Sequence, residues 1–186
     1  EVFLNYDPKS NADYLMQYGF VMDNNSHDHV GMLASIGSDA PFYSEKEMLL
    51  KQLGQTMTEP HKLYADGLAN RSLHSIRVLC AESHEMQNGE ARKVLRGLKI
   101  SDSNELCLYR TLVSAIEGLL SKYPTKMTED EQLLKDSRHM PINHRNALIL
   151  RKGEKRILIF TLSRYQRMLK RLEKGPSRSP SKKERR

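Results

Sequence analysis

A chain of 186 residues, 38% hydrophobic and 28% charged with no Trp, is long enough for one good-sized domain or two small ones and too short for a large multidomain enzyme. The longest purely apolar runs, Ala147–Leu150 and Ile157–Phe160, fall far below the roughly 20 residues of a membrane-spanning helix, so the composition reads as a soluble protein without a membrane partner. From Gln166 to Arg186 there are nine basic and two acidic residues, so the whole net charge of +7 sits on the last helix and a tail while the preceding body is neutral.

No leader peptide is visible, and the chain opens at Glu1 directly into an alternating pattern, which places the expected N-terminus upstream. Val2, Leu4 and Tyr6 share one face of a short strand. Asp7-Pro8 breaks it, and Asn11 is the expected N-cap of a two-turn helix carrying Leu15 and Tyr18 and ending at Gly19. A polar loop from Asp23 to Asp28 leads into a second extended piece, Val30 to Ile36. From Ser44 onward nearly every segment has helical periodicity. Ser44 with Glu47, and Thr128 with Glu131, have capping-box spacing, and Ser72 is the expected cap of a helix with Leu73, Ile76, Leu79 and Cys80 inward. A shorter helix carries Val94 and Leu95 and stops at Gly97. The clearest helix follows Asp102, with Leu106, Tyr109, Leu112, Val113, Ile116, Leu119 and Tyr123 on its core face and Pro124 as its stop. Asn146 to Leu172 is expected to be one kinked helix, or two that meet near Gly153. Gly175 to Arg186 cannot bury a core and reads as a disordered basic tail.

Cys80 and Cys107 have no zinc-type spacing and read as reduced, buried thiols. His27-Asp28-His29 and the pair His139 and His144 read as surface histidines and not as a metal site. There is no Walker loop, dinucleotide-binding glycine motif, nucleophile elbow or HExxH motif. On pattern alone Tyr6 and Tyr18 are aromatics at a core edge, and the residues by themselves define a helical protein with a truncated β piece.

The informative stretch is the first twenty residues. A strand ending in Tyr6, then Ser10-Asn11-Ala12-Asp13, then Tyr18-Gly19-Phe20 resembles the end of the catalytic domain of SET-domain lysine methyltransferases, in the subgroup typified by the plant Rubisco large-subunit methyltransferase. Asp39-Ala40-Pro41-Phe42-Tyr43, the Tyr123-Pro124-Thr125 break followed by Glu129 to Leu134, and Arg151-Lys152-Gly153-Glu154-Lys155 look like successive parts of the helical substrate-binding domain that follows it. The resemblance covers about residues 1–174. It implies a mainly α fold: residues 1–22 as the end of a SET domain, 23–43 as an extended linker, 44–174 as a helical substrate-binding bundle and 175–186 as the tail.

By that resemblance the activity is protein-lysine N-methylation with S-adenosylmethionine as cofactor, or methylation of a histidine ring nitrogen. Tyr6 corresponds to the catalytic tyrosine of the target-lysine channel, Tyr18 and Phe20 to aromatics beside the cofactor, and Asn11 to a residue of the turn that shapes the substrate pocket. Such a transfer demands alignment of nucleophile, methyl and leaving sulfur in a desolvated tunnel more than it demands acid–base groups. The glycine-containing cofactor loop and the Asn-His segment of the family are expected upstream of Glu1, so this chain alone is expected to be inactive. The implied partner is a protein substrate presenting a lysine, docked on a monomer; chloroplast stroma, cytosol and nucleus all fit, and secretion does not. The rival reading is a non-catalytic helical interaction module whose basic tail contacts nucleic acid or an acidic partner.

Overall fold

A computed structural model describes residues 7–136 and 140–174. The elements in chain order are α1 (Asn11–Tyr18), β1 (Val30–Met32), α2 (Tyr43–Gln52), β2 (His61–Tyr64), β3 (Gly67–Leu68), α3 (Asn70–Cys80), α4 (Ser83–Gln87), a 3₁₀ segment (Glu90–Arg96), α5 (Asp102–Leu120), α6 (Met127–Lys135) and α7 (Ile142–Glu173). Among the described residues the protein is mainly helical, as its sequence implies, with one small antiparallel sheet in the order β1-β2-β3. The expected strand at residues 2–6, Tyr6 itself, His139 and the basic tail lie outside the described residues.

Two clusters of apolar side chains hold the helices together. In the first, the sheet packs through Val30, Met32, Leu63 and Leu68 against Ile76 of α3, Leu108, Leu112 and Ile116 of α5, and Ile157, Leu158 and Tyr165 of α7. Four-residue steps align Leu108, Leu112 and Ile116, all fully buried, so the centre of the α5 face includes Leu108 and leaves Leu106 at its side. In the second cluster, Leu49 and Leu50 of α2 meet Val78 and Leu79 of α3 and Ala91 and Val94 of the 3₁₀ segment. α3 therefore serves both clusters from opposite faces, and the two form one continuous body.

The hairpin β2–β3 corrects the expectation of a bundle built only of helices from Ser44 onward. His61 and Leu63 alternate with exposed Lys62, and a two-residue turn brings Tyr64 opposite Gly67. Gly67 has φ +109, and a Cβ there would stand 2.9 Å from the Tyr165 hydroxyl, which accepts a 2.9 Å hydrogen bond from the Leu68 amide. This close approach locks the hairpin onto α7.

Helix ends differ from their expected caps at several places. Ser10 is the N-cap of α1 and Asn11 its first helical residue; α2 starts after Phe42, α3 after Ala69 and α6 after Lys126, none with a side-chain cap. Gly19 and Gly97 end their helices in the left-handed conformation, as expected. α7 runs unbroken through Gly153 for 32 residues. Neither cysteine is buried as expected: Cys80 is only half-buried, and Cys107 is exposed, because α5 turns its core face to positions 104, 105 and 108.

Candidate functional site

The local structure of the motif begins with Ser10. Its hydroxyl accepts from the Asp13 amide at 3.1 Å and donates to Asp13 Oδ2 at 2.6 Å, so the α1 N-terminus closes as a capping box. That hydroxyl contact holds the Asp13 carboxyl below the usual aspartate value.

Asn11, only 2% exposed, points into the body. Its Nδ2 donates to the Met22 carbonyl at 2.9 Å and to Asp28 Oδ2 at 3.2 Å, its Oδ1 accepts from the Met22 amide at 2.9 Å, and its own amide donates to Asp28 Oδ1 at 3.0 Å. One side chain thus ties the start of α1 to the strand-like stretch after Phe20 and to the loop before β1. Asn25 adds a third strut, donating to the Lys9 carbonyl at 2.7 Å. Burial raises the Asp28 carboxyl above its usual value, against the lowering effect of the Asn11 hydrogen bonds.

The looped segment rests on α7. Asp28 Oδ2 lies 2.9 Å from where a Cβ of Gly153 would be, so the absence of a side chain at Gly153 admits the carboxylate against the helix. Asn146 donates to the Gly19 carbonyl at 3.1 Å, Arg156 donates to Asn24 Oδ1 at 2.8 Å, and Arg145 stands 3.9 Å from Asp23. Beside Gly153, Glu154 accepts a 2.8 Å hydrogen bond from the Tyr123 hydroxyl. Burial pushes the Glu154 carboxyl up, and the nearby Asp28 charge adds to that push.

Above this scaffold sits an aromatic group. Tyr14 is buried, donates from its hydroxyl to the Asp7 carbonyl at 2.9 Å, and stacks on Phe20 at a centroid distance of 5.2 Å. Tyr18 lies 6.3 Å from Tyr14 and 6.1 Å from Phe20, with nearly half its surface exposed. The structure therefore brings Tyr18 and Phe20 together, while Asn11 bonds to Met22 and Asp28 at the start of the helix that carries Tyr18. Tyr14 is the member that sequence reasoning did not single out; the four-residue step from Tyr14 to Tyr18 on one helix face was the available signal.

A separate apolar cavity of about 450 Å³ opens between the chain after β1 and the helices α3 and α5, lined by Leu33, Ala34, Ile36, Ile76, Cys80 and Thr111 among others. β1 is one of the two edge strands of the sheet, and Leu33 just beyond it is 59% exposed. A second cavity, about 460 Å³, lies at the α5–α6 turn beside Lys155. Asp130 there holds Lys155 at 2.6 Å and Arg151 Nε at 3.1 Å; burial acts to raise its carboxyl, and the hydrogen bonds from Arg151, Lys155 and Thr125 outweigh it and hold the group below the usual range. Among the described residues no group of three His, Cys, Asp or Glu side chains is placed to hold a metal, and no helix is long and apolar enough to cross a membrane. His29 packs against Tyr64 at 5.3 Å.

The family model described as Rubisco LSMT substrate-binding matches residues 37–158, and the chain belongs to that family. Among curated proteins it is similar to the actin-histidine N-methyltransferases of Callithrix jacchus and Homo sapiens, each 28% identical over 169 residues, which cover 85% of this chain. The chain spans about 28% of the length of those relatives. Its fold matches a solved SET domain of LSMT bound to lysine and AdoHcy, with a TM-score of 0.82 and 22% identity over 93% of this chain and 40% of that one. Rubisco LSMT bound to AdoMet matches equally, at 0.82 and 22%, covering 93% of this chain and 42% of that one.

Proposed function

We propose that the chain is the C-terminal portion of an S-adenosylmethionine-dependent SET-domain protein methyltransferase: residues 44–174 dock the protein substrate, and residues 1–22 complete the transfer pocket. The observation that carries this reading is the clamp from Asn11 through Asp28 to Gly153, which fixes the aromatic segment relative to the matched family domain. A substrate held on the helical body is then presented to the pocket at a fixed distance, which raises the local concentration of its target side chain.

The residues present fit one wall of a sulfonium-binding site, because Tyr18 and Phe20 offer stacked aromatic faces, and aromatic faces favour a desolvated cation. When bound, S-adenosylmethionine supplies an electrophilic methyl group. Tyr6 orients the target nitrogen through its phenol, Tyr18 and Phe20 exclude water, Tyr14 supports Phe20 from below, and Asn11 holds the turn that carries all of them. The nitrogen must arrive neutral, as a lysine amine; the relatives named as actin-histidine methyltransferases favour a histidine ring as the second acceptor.

The test uses the full-length protein with methyl-labelled S-adenosylmethionine and, in separate reactions, purified actin and the Rubisco large subunit, followed by mass spectrometry of the labelled peptide. Label on a lysine or histidine side chain supports the reading. Cofactor binding without transfer to any protein in whole-cell or chloroplast extracts would leave only a docking module.

A further inference from the structure

Cys80 and Cys107 are the only cysteines of the chain and have no part in methyl transfer. The packing of α3 on α5 brings them together. Arg77 and Glu105 form a buried ion pair between the helices, with Arg77 Nη2 3.1 Å from Glu105 Oε2, and Asn104 donates to the Arg77 carbonyl at 3.0 Å. One turn beyond Arg77 on α3 is Cys80, and one turn beyond Asn104 on α5 is Cys107. Cys80 Sγ is 3.7 Å from the hydroxyl of Thr111, one turn beyond Cys107 on the same helix, and both cysteines line the 450 Å³ cavity.

We propose that Cys80 and Cys107 form a reversible disulfide that pins α3 to α5 beside the apolar cavity, with hydrogen peroxide as oxidant. The exposed Cys107 reacts first: its thiolate attacks the peroxide, the O–O bond breaks, and a sulfenic acid and hydroxide form. The Cys80 sulfur then displaces the sulfenic oxygen, the S–S bond forms, and the Cys80 proton leaves with that oxygen, so two thiols and one peroxide give one disulfide and two waters. The order of roles follows from the surroundings. Burial pushes the Cys80 thiol up to about 12, so it waits protonated until a sulfenic acid stands beside it. Arg77, Glu105 and Asn104 hold the two helices at this register while the second step takes place.

The proposal is independent of the methyltransferase reading and is tested on the chain itself. The reduced 186-residue chain is treated with one equivalent of hydrogen peroxide, quenched with N-ethylmaleimide and weighed intact. The expected result is loss of both maleimide-reactive thiols, a mass lower by two hydrogens, a Cys80–Cys107 linked peptide in the non-reduced digest, and recovery of both thiols with dithiothreitol. Cys107→Ser should slow peroxide-dependent thiol loss by roughly tenfold or more, and Cys80→Ser should leave a sulfenic acid at Cys107 that dimedone traps. Two thiols that still label fully, a disulfide that joins two chains, or Cys107 over-oxidised while Cys80 still labels would each overturn it. The linked-peptide result on the unsubstituted chain decides the matter even if a serine variant misfolds.

Discussion

Asp28 meets α7 at Gly153, where its Oδ2 occupies space 2.9 Å from the position of a side chain's first carbon. The same carboxylate accepts from Asn11 twice, so a loop residue, a helix-start residue and a missing side chain on a third element form one joint. Gly153 in a helix interior costs roughly 0.5–1 kcal/mol relative to Ala, and the joint is what that cost sustains.

Gly118 is the internal control, because it too lies within a helix and a Cβ there meets nothing within 4 Å. Gly118→Ala should stabilise the chain by about 0.5–1 kcal/mol. Gly153→Ala should forfeit that gain and end about 1–2 kcal/mol below Gly118→Ala, since the buried Asp28 carboxylate must give way. Urea denaturation measures both; equal stabilisation would show that Asp28 yields at no cost.

Asn11→Ala should destabilise by about 2–3 kcal/mol, because it leaves the Met22 amide and carbonyl and one Asp28 oxygen without their partner. Hydrogen exchange at the Met22 amide should rise in parallel. A loss confined to a few tenths would mean that water replaces the side chain freely.

Asp130→Asn should cost about 3–5 kcal/mol, since it removes the carboxylate charge that pairs with Lys155, which is 2% exposed and among the described residues otherwise donates only to Thr125. The pH dependence has a definite sign. The Asp130 carboxyl is held below its ordinary 3.8, so its contribution is present above that value and is lost as pH falls through the folded value. Glu154 is raised above its ordinary 4.5, so its contribution is full below 4.5 and is lost as pH rises through the folded value. Glu154→Gln, which keeps an oxygen for the Tyr123 hydroxyl, should therefore gain stability over the parent at pH 7, and the gain should vanish below 4.5. Denaturation curves at the two pH values check this.

Much of this was legible in the residues. The Ser10–Phe20 motif, the left-handed stops at Gly19 and Gly97 and the α5 periodicity all carry local signals, and each appears in the fold. The β2–β3 hairpin had a signal too, the His61-Lys62-Leu63-Tyr64 alternation before Asp66-Gly67, but four and two residues of strand are easily lost between helical patterns. The caps at Ser44, Ser72 and Thr128 failed because tertiary packing sets where those helices begin. The role of Gly153 could not be read from spacing, because Asp28 lies 125 positions away and only the fold joins them. Exposure of Cys107 followed from the rotation of α5, which a shift of one position in the core face decides.

Tyr6 bears most directly on the central claim. In the full-length protein, kcat for methyl transfer and the dissociation constant for the protein substrate should be measured for the parent and for Tyr6→Phe. The account predicts that kcat falls by roughly two orders of magnitude or more while substrate affinity stays within about twofold, because the phenol acts on the reacting nitrogen and the helical body does the docking. Unchanged kcat, or equal loss of turnover and docking, would contradict it.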